Sequence, residues 1–428
     1  MRLLLCSILL LSFTAPAQQS RAPRPSTQSA PRTPTEAYER AAEALRAPGP
    51  TLETYVQALK EQEQRAREFA RAFKVADWRG EQLFNLGQLY SLAERHADTE
   101  AALTEYLRDP AAIQAKAARQ LLLYTLIAEQ RWDAAVDVAD RLLAAPQFDE
   151  EVVYSTQALI DGLRVEQIER AIAVAEKRHP KLLQRALEKG RDPSQAAGLL
   201  IYALELGQLC REAGRMPQAD DIVRSLRTAL SEGPLAANET ARRSVESTIR
   251  RVELLRSAAP PLEVSEQLGA APASTLAALK GKVVLLDFFA HHCVPCVASI
   301  PELNRLKKEY ESQGLAVLGV TAYFGYFGAR EKITPDEERA SLQNLLAERR
   351  AAIGFLVGPT SNFVAYGVSG LPAVALIDRA GQVRYLKIGD AIGAKTERLV
   401  RALLAEPASP AAKAEAATSA ASRQEEQR

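Results

Sequence analysis

The chain has 428 residues, 47% apolar and 25% charged. That leaves room for two or three domains of roughly 100–200 residues each, and its apolar content excludes wholesale disorder. Lys and Arg number 54 against 53 Asp and Glu, so no overall electrostatic drive toward nucleic acid or an anionic membrane follows. Four cysteines are too few to staple a scaffold of this length.

In chain order, residues 1–17 read as an export signal. Met1-Arg2 supplies a positive start, Leu3 to Phe13 an apolar run, and Ala15-Pro16-Ala17 a small-x-small site with cleavage expected before Gln18. The run is well short of the roughly 20 residues that span a bilayer, which favours a cleaved signal over a retained anchor. Cys6 lies inside the run rather than after it, which argues against a lipoprotein signal. The expected location is exported, periplasmic or extracytoplasmic, with no membrane span after cleavage. Cys6 would leave with the signal, so Cys210, Cys293 and Cys296 remain.

Residues 18–34 are rich in Pro, Gln, Ser and Arg and read as a disordered linker. Over 35–256 apolar residues recur at three- and four-residue spacing, which predicts an all-α region of helical hairpins. Several pairs resemble tetratricopeptide repeats. The clearest joins Leu206-Gly207, Cys210, Gly214, Ala219 and Val223; a weaker one begins at Leu86-Gly87 and Tyr90, and another has Ala134 and Pro146 in register but Leu122 where glycine is usual. The alternative is an irregular helical domain. Cys210 falls at a large apolar position of the repeat and reads as a buried packing residue, the alternative being a resolving or intermolecular thiol.

After Pro260-Pro261 the pattern changes to alternating strands and helices, an α/β domain over 257–405. Strands are predicted at 283–289, 315–321, 373–377 and 383–388. Helices are predicted from the cysteine motif to 310, at 336–350 and at 395–404. Residues 406–428 form a low-complexity tail, expected to be disordered.

Cys293-Val294-Pro295-Cys296 is a C-x-x-C that opens a helix. This places the Cys293 sulfur among unpaired backbone N–H groups at the positive end of the helix dipole, which favours thiolate. Cys296 follows one turn later, placed to resolve a mixed disulfide. Pro295 suits a first turn, where its missing N–H costs little.

The stretch Gly281-Lys-Val-Val-Leu-Leu-Asp-Phe-Phe-Ala-His-His-Cys-Val-Pro-Cys, the Pro301-Glu302-Leu303 after it, and Tyr366 to Asp378 together resemble the thioredoxin-like thiol:disulfide oxidoreductases of the TlpA/ResA branch. The likeness covers residues 255–405, about a third of the chain. It implies a thioredoxin-like fold, with Pro372 as the family's cis-proline and Leu371 as the residue before it. It also implies that Asp287 is the buried acid, a proton acceptor for Cys296; burial raises a carboxylate's pKa, as such a role requires. The other reading of Asp287 is a polar side chain turned out at a strand end.

Two departures stand out. The family's Trp before the first cysteine is His292 here, preceded by His291. His292 either favours thiolate as an imidazolium or replaces a flat surface ring. A zinc site on these groups is disfavoured by poor tetrahedral geometry, so no metal and no cofactor are expected. The second departure, Tyr323-Phe324-Gly325-Tyr326-Phe327-Gly328, reads as a mobile apolar loop rather than a strand. It is expected to lie toward the site and either contact a partner polypeptide or pack back on the domain.

The combined expectation is an exported thiol:disulfide oxidoreductase. Cys293, Cys296, Asp287 and Pro372 are its catalytic candidates, and Leu371, His292 and Pro295 its substrate-facing ones. Expected partners are protein disulfides or dithiols, an external thiol donor and a protein held on the helical repeats, with no nucleic acid. The alternatives are a binding scaffold whose redox domain is only a folded appendage and, more weakly, a thiol peroxidase.

Overall fold

The computed structural model describes residues 30–45, 52–146, 148–164, 166–231, 235–273, 275–389 and 392–407. The expected signal, most of the linker and nearly all of the tail lie outside the described residues. The chain divides into two compact units, at Arg178/His179.

The first unit is all-α. It holds α1 (Pro34–Ala42), α2 (Leu52–Phe69), α3 (Glu81–Leu92), α4 (His96–Tyr106), α5 (Ala115–Ala128), α6 (Trp132–Ala144), α7 (Glu150–Leu163) and the start of α8 (Ile168–Ala186). Starts are written locally: the Thr33 side chain accepts the Glu36 N–H with Pro34 in the first turn, and Asp149 caps α7 by accepting the Val152 N–H. Consecutive helices pack in pairs, α3 on α4 and α5 on α6. Leu103 lies so close over Gly87 that a Cβ there would approach its Cδ2 to 2.5 Å.

The second unit begins with helices too: α9 (Pro193–Glu212), α10 (Met216–Ser231) and α11 (Glu239–Leu254). Cys210 is fully buried on α9. A six-stranded sheet follows, of β1 (Glu266–Leu268), β2 (Val283–Phe288), β3 (Leu315–Thr321), β6 (Gly354–Val357), β7 (Ala373–Ile377) and β8 (Val383–Ile388). Its order is β1-β6-β3-β2-β7-β8. The central β2 runs parallel to β3 and antiparallel to β7, and both its faces are covered, which is why it reads as one apolar run. Val283, Leu285 and Phe289 pack under α12 (Val294–Tyr310), while Val284, Leu286 and Phe288 face the opposite core.

The predicted strands at 315–321, 373–377 and 383–388 are present as read, and α13 (Pro335–Glu348) and α15 (Ala394–Ala405) lie close to their predicted spans. The short β1, β6 and α14 (Ser361–Ala365) were not foreseen. The change of composition near residue 257 is not the compact division: α9 to α11 share a unit with the sheet, and Leu254 and Leu255 enter its core.

Candidate active site

Strand β2 delivers the chain to Cys293, which is the N-cap of α12. The Cys296 backbone N–H donates to the Cys293 sulfur at 3.2 Å. The sulfur therefore sits where the helix offers unpaired donors. Cys293 and Cys296 are joined as a disulfide. Cys293 is 8% exposed and Cys296 fully buried, with its sulfur 3.9 Å from the Phe288 carbonyl oxygen. Between them, Val294 is 77% exposed and Pro295 occupies the first helical turn. The Cys293 sulfur therefore lies nearer the surface than that of Cys296.

Asp287 is wholly buried one residue before the end of β2, and neither carboxylate oxygen meets a hydrogen-bond donor. Burial holds its pKa well above the usual carboxylate value. Strand alternation puts it on the face of Leu285 and Phe289, the one that α12 and Cys296 cover. It does not point out at a strand end.

The Leu371–Pro372 peptide bond is cis. Ala373 pairs with Phe288, so Pro372 lies beside the end of β2 that leads into the cysteine motif. The Pro372 carbonyl accepts the Gly389 N–H at 2.8 Å, and the half-buried Leu371 packs on both cores.

His291 and His292 differ sharply. His292 is exposed, and its Nδ1 lies 2.8 Å from the Tyr326 hydroxyl. The His291 side chain is buried and stacks on Phe327 with ring centroids 4.5 Å apart. Its Nε2 is 3.7 Å from Glu338 Oε1. Burial first, and the neighbouring His292 second, lower the His291 pKa.

The aromatic segment 323–328 corrects the sequence reading. Tyr326–Phe327 is a strand, β4, paired with β5 (Arg330–Glu331), and Tyr323, Phe324 and Phe327 pack back on the core. The physical reason is Glu338 on α13, buried, whose two carboxylate oxygens accept the backbone N–H groups of Phe324 and Gly325, each at 2.8 Å. Neither Glu338 nor the Tyr326–His292 pair was singled out from sequence. The capping box of Thr334 and Glu337 marks the helix start, but nothing local marks the next residue as the anchor of a loop. Among the described residues no group of three or more His, Cys, Asp and Glu is arranged to hold a metal ion.

Residues 257–404 match the family described as Redoxin. Protein DipZ of Mycobacterium tuberculosis is 34% identical over 134 residues, 30% of this chain and 18% of that protein. Thiol-disulfide oxidoreductase ResA of Halalkalibacterium halodurans is 27% identical over 123 residues, 28% of this chain and 60% of that protein. The chain thus spans less than two thirds of either relative. A solved thiol-disulfide isomerase from Corynebacterium glutamicum is 24% identical, covers 35% of this chain and 98% of its own, and gives a TM-score of 0.30. The C-terminal region is a thioredoxin-like domain whose close cysteine pair forms a thiol–disulfide site.

Proposed function

We propose that the chain is an exported thiol:disulfide oxidoreductase that reduces disulfides of envelope proteins. The reading is carried by one observation: the Cys293 sulfur lies at the N-cap of α12, accepts the Cys296 N–H, and is bonded to Cys296 on the sheet face that holds Asp287. In the reduced protein, Cys293 thiolate attacks a partner disulfide, and a mixed disulfide forms as the partner's first thiolate leaves. Asp287, made a stronger base by burial, takes the Cys296 proton. Cys296 then attacks the Cys293 sulfur and releases the partner's second thiolate, which leaves Cys293–Cys296 oxidised and the partner reduced by two electrons. An external thiol donor returns the pair to its reduced state. Pro372 and Leu371 align the bound chain, while His292 and Pro295 flank it.

The export signal at 1–17 supports an oxidising compartment, in which a disulfide substrate exists. We assign 18–34 as a tether, 35–256 as tetratricopeptide-like hairpins that recruit the partner, 257–405 as the redox domain and 406–428 as a tail. The direction of electron flow is tested by the reduction potential of the pair in graded thiol buffers. A value near or below about −250 mV supports a reductase, and one near roughly −120 mV an oxidase or isomerase. The absence of a reversible two-electron transition overturns the redox reading and leaves a scaffold.

A further inference from the structure

The Cys293 side of the site has its own supports; the segment leading to Pro372 has another, from outside the α/β layer. Gly367 begins a short connection through Val368, Ser369, Gly370 and Leu371 to Pro372. Its carbonyl accepts the Arg251 Nη1–H of α11 at 2.5 Å. Arg250 Nε donates to the Ala365 carbonyl at 3.2 Å. The Arg251 guanidinium is itself oriented from its own helix, with Nη1 3.1 Å from Ser247 Oγ and Nη2 2.7 Å from Thr248 Oγ1.

The backbones meet closely as well. Gly367 has φ +64°, and a Cβ there would lie 2.5 Å from the Ser247 carbonyl oxygen, so only glycine suits both the turn and the approach of α11. Downstream, Leu254 and Leu255 sit in the sheet's second core beside Val284, Phe288 and Ala373. The Arg256 N–H donates to the Val383 carbonyl at 2.6 Å, and the Ala259 N–H to the Gly381 carbonyl at 2.9 Å. Helix α11 is thus fastened to β8 and to the segment carrying Pro372. At its other end that segment is fixed by the Gly389 N–H on the Pro372 carbonyl.

A half-buried arginine is an expensive way merely to fill space, because desolvating a guanidinium opposes folding and an apolar side chain of similar volume would pack at less cost. What a guanidinium adds is a planar fork that holds several acceptors in a fixed relation. Here it ties two side chains of α11 to one carbonyl of the segment before Pro372. We propose that Arg251 is a positioning residue for residues 367–372, so that the last helix of the helical region is built into the wall that aligns the partner's polypeptide. The proposal rests on the redox reading above. It assigns Arg251 no contact with the reacting sulfurs.

The test uses the full chain, with Arg251→Ala and Arg251→Lys measured on insulin as a protein disulfide and on DTNB as a small one. Loss of a charge-assisted hydrogen bond predicts that Arg251→Ala raises the insulin KM about tenfold or more. Its kcat, its DTNB rate and the reduction potential of the cysteine pair should stay at the wild-type values. Arg251→Lys should recover only part of the KM, since an ammonium cannot span Ser247, Thr248 and Gly367 together. An unchanged insulin KM overturns the proposal, as does a parallel fall of the insulin and DTNB rates with the melting temperature, which would mark Arg251 as structural only. Where Arg251→Ala does not fold, Arg251→Met keeps the aliphatic stem and loses only the donors, and the same two outcomes decide. If the wild-type pair lacks a reversible transition, the redox reading itself fails and the proposal falls with it.

Discussion

The interior and surface sides of the cysteine pair are held by opposite means. On the inside, Cys296 and Asp287 are fully buried, and the Asp287 carboxylate oxygens lack hydrogen-bond donors. Their positions come from strand register and from the first turn of α12, elements contiguous with the cysteine motif itself. On the outside, the exposed His292 is held by the Tyr326 hydroxyl of a hairpin that Glu338 anchors, more than thirty residues further along the chain, and the buried His291 packs beside it against Phe327. An interior group left without partners has its charge state perturbed, whereas a surface group with partners has its orientation set. The first arrangement suits proton transfer, the second substrate-facing geometry.

The sharpest way to break this comparison is Asp287→Asn. A positioned general base contributes roughly 10²-fold or more, so turnover of a protein disulfide should fall by about that factor at neutral pH. Stability should move the other way. The folded-state pKa of Asp287 is raised above its unfolded value, so the protonated acid is the form the fold tolerates. The wild-type protein therefore has its full stability below the unfolded carboxylate range and loses stability as pH rises through the raised pKa. The carboxamide that Asp287→Asn introduces has no proton to lose. The variant should unfold at higher urea than wild type at neutral and alkaline pH, with the gap closing toward acid pH. Wild-type turnover in the variant would remove the interior side from the chemistry.

On the surface side the larger effect belongs to Glu338→Gln. Two backbone N–H groups bond to two separate carboxylate oxygens, and a carboxamide can offer an oxygen to only one of them while turning its own N–H₂ toward the other. Charge-assisted bonds of this kind contribute about 1.5–3 kcal/mol each. Hydrogen-exchange protection at Phe324 and Gly325 should then drop by roughly tenfold or more. Unchanged protection would mean that packing of Phe324 and Phe327, not the carboxylate, holds the hairpin.

The same division runs through what the sequence disclosed. The helix-opening C-x-x-C, the strand carrying Asp287 and the strands 373–377 and 383–388 are written in local signals: a buried apolar run, a proline in a first turn, an Asp378-Gly381 turn. The interior side was legible for that reason. Glu338 was not, because its partners are backbone amides of another element and no spacing rule connects them. Arg251 was hidden twice over, lying in a stretch that composition assigns to the helical region. The hairpin glycines make the point in the helices. Gly207 sits in the sequence stretch that most resembles a repeat, yet a Cβ there would meet Ile222 at an ordinary 3.4 Å, while Gly87, in a stretch with a weaker resemblance, lies under Leu103 at 2.5 Å. How tight such a site is depends on the side chain opposite, and sequence position alone does not carry that.

The smallest expected effect is that of Tyr326→Phe. The substitution keeps the ring that packs beside His291 and removes only the hydroxyl 2.8 Å from His292 Nδ1. A single hydrogen bond at an exposed pair contributes on the order of 1 kcal/mol, so turnover of a protein disulfide should change by no more than about fivefold. The ¹⁵N resonance of His292 Nδ1 should nevertheless shift, since that nitrogen exchanges a phenol partner for water while Nε2 does not. A shifted resonance with nearly intact turnover would place His292 on the substrate-facing surface as an oriented ring. A loss comparable to that of Asp287→Asn would instead move chemical work to the surface side, and the two halves of the site could no longer be separated by how they are held.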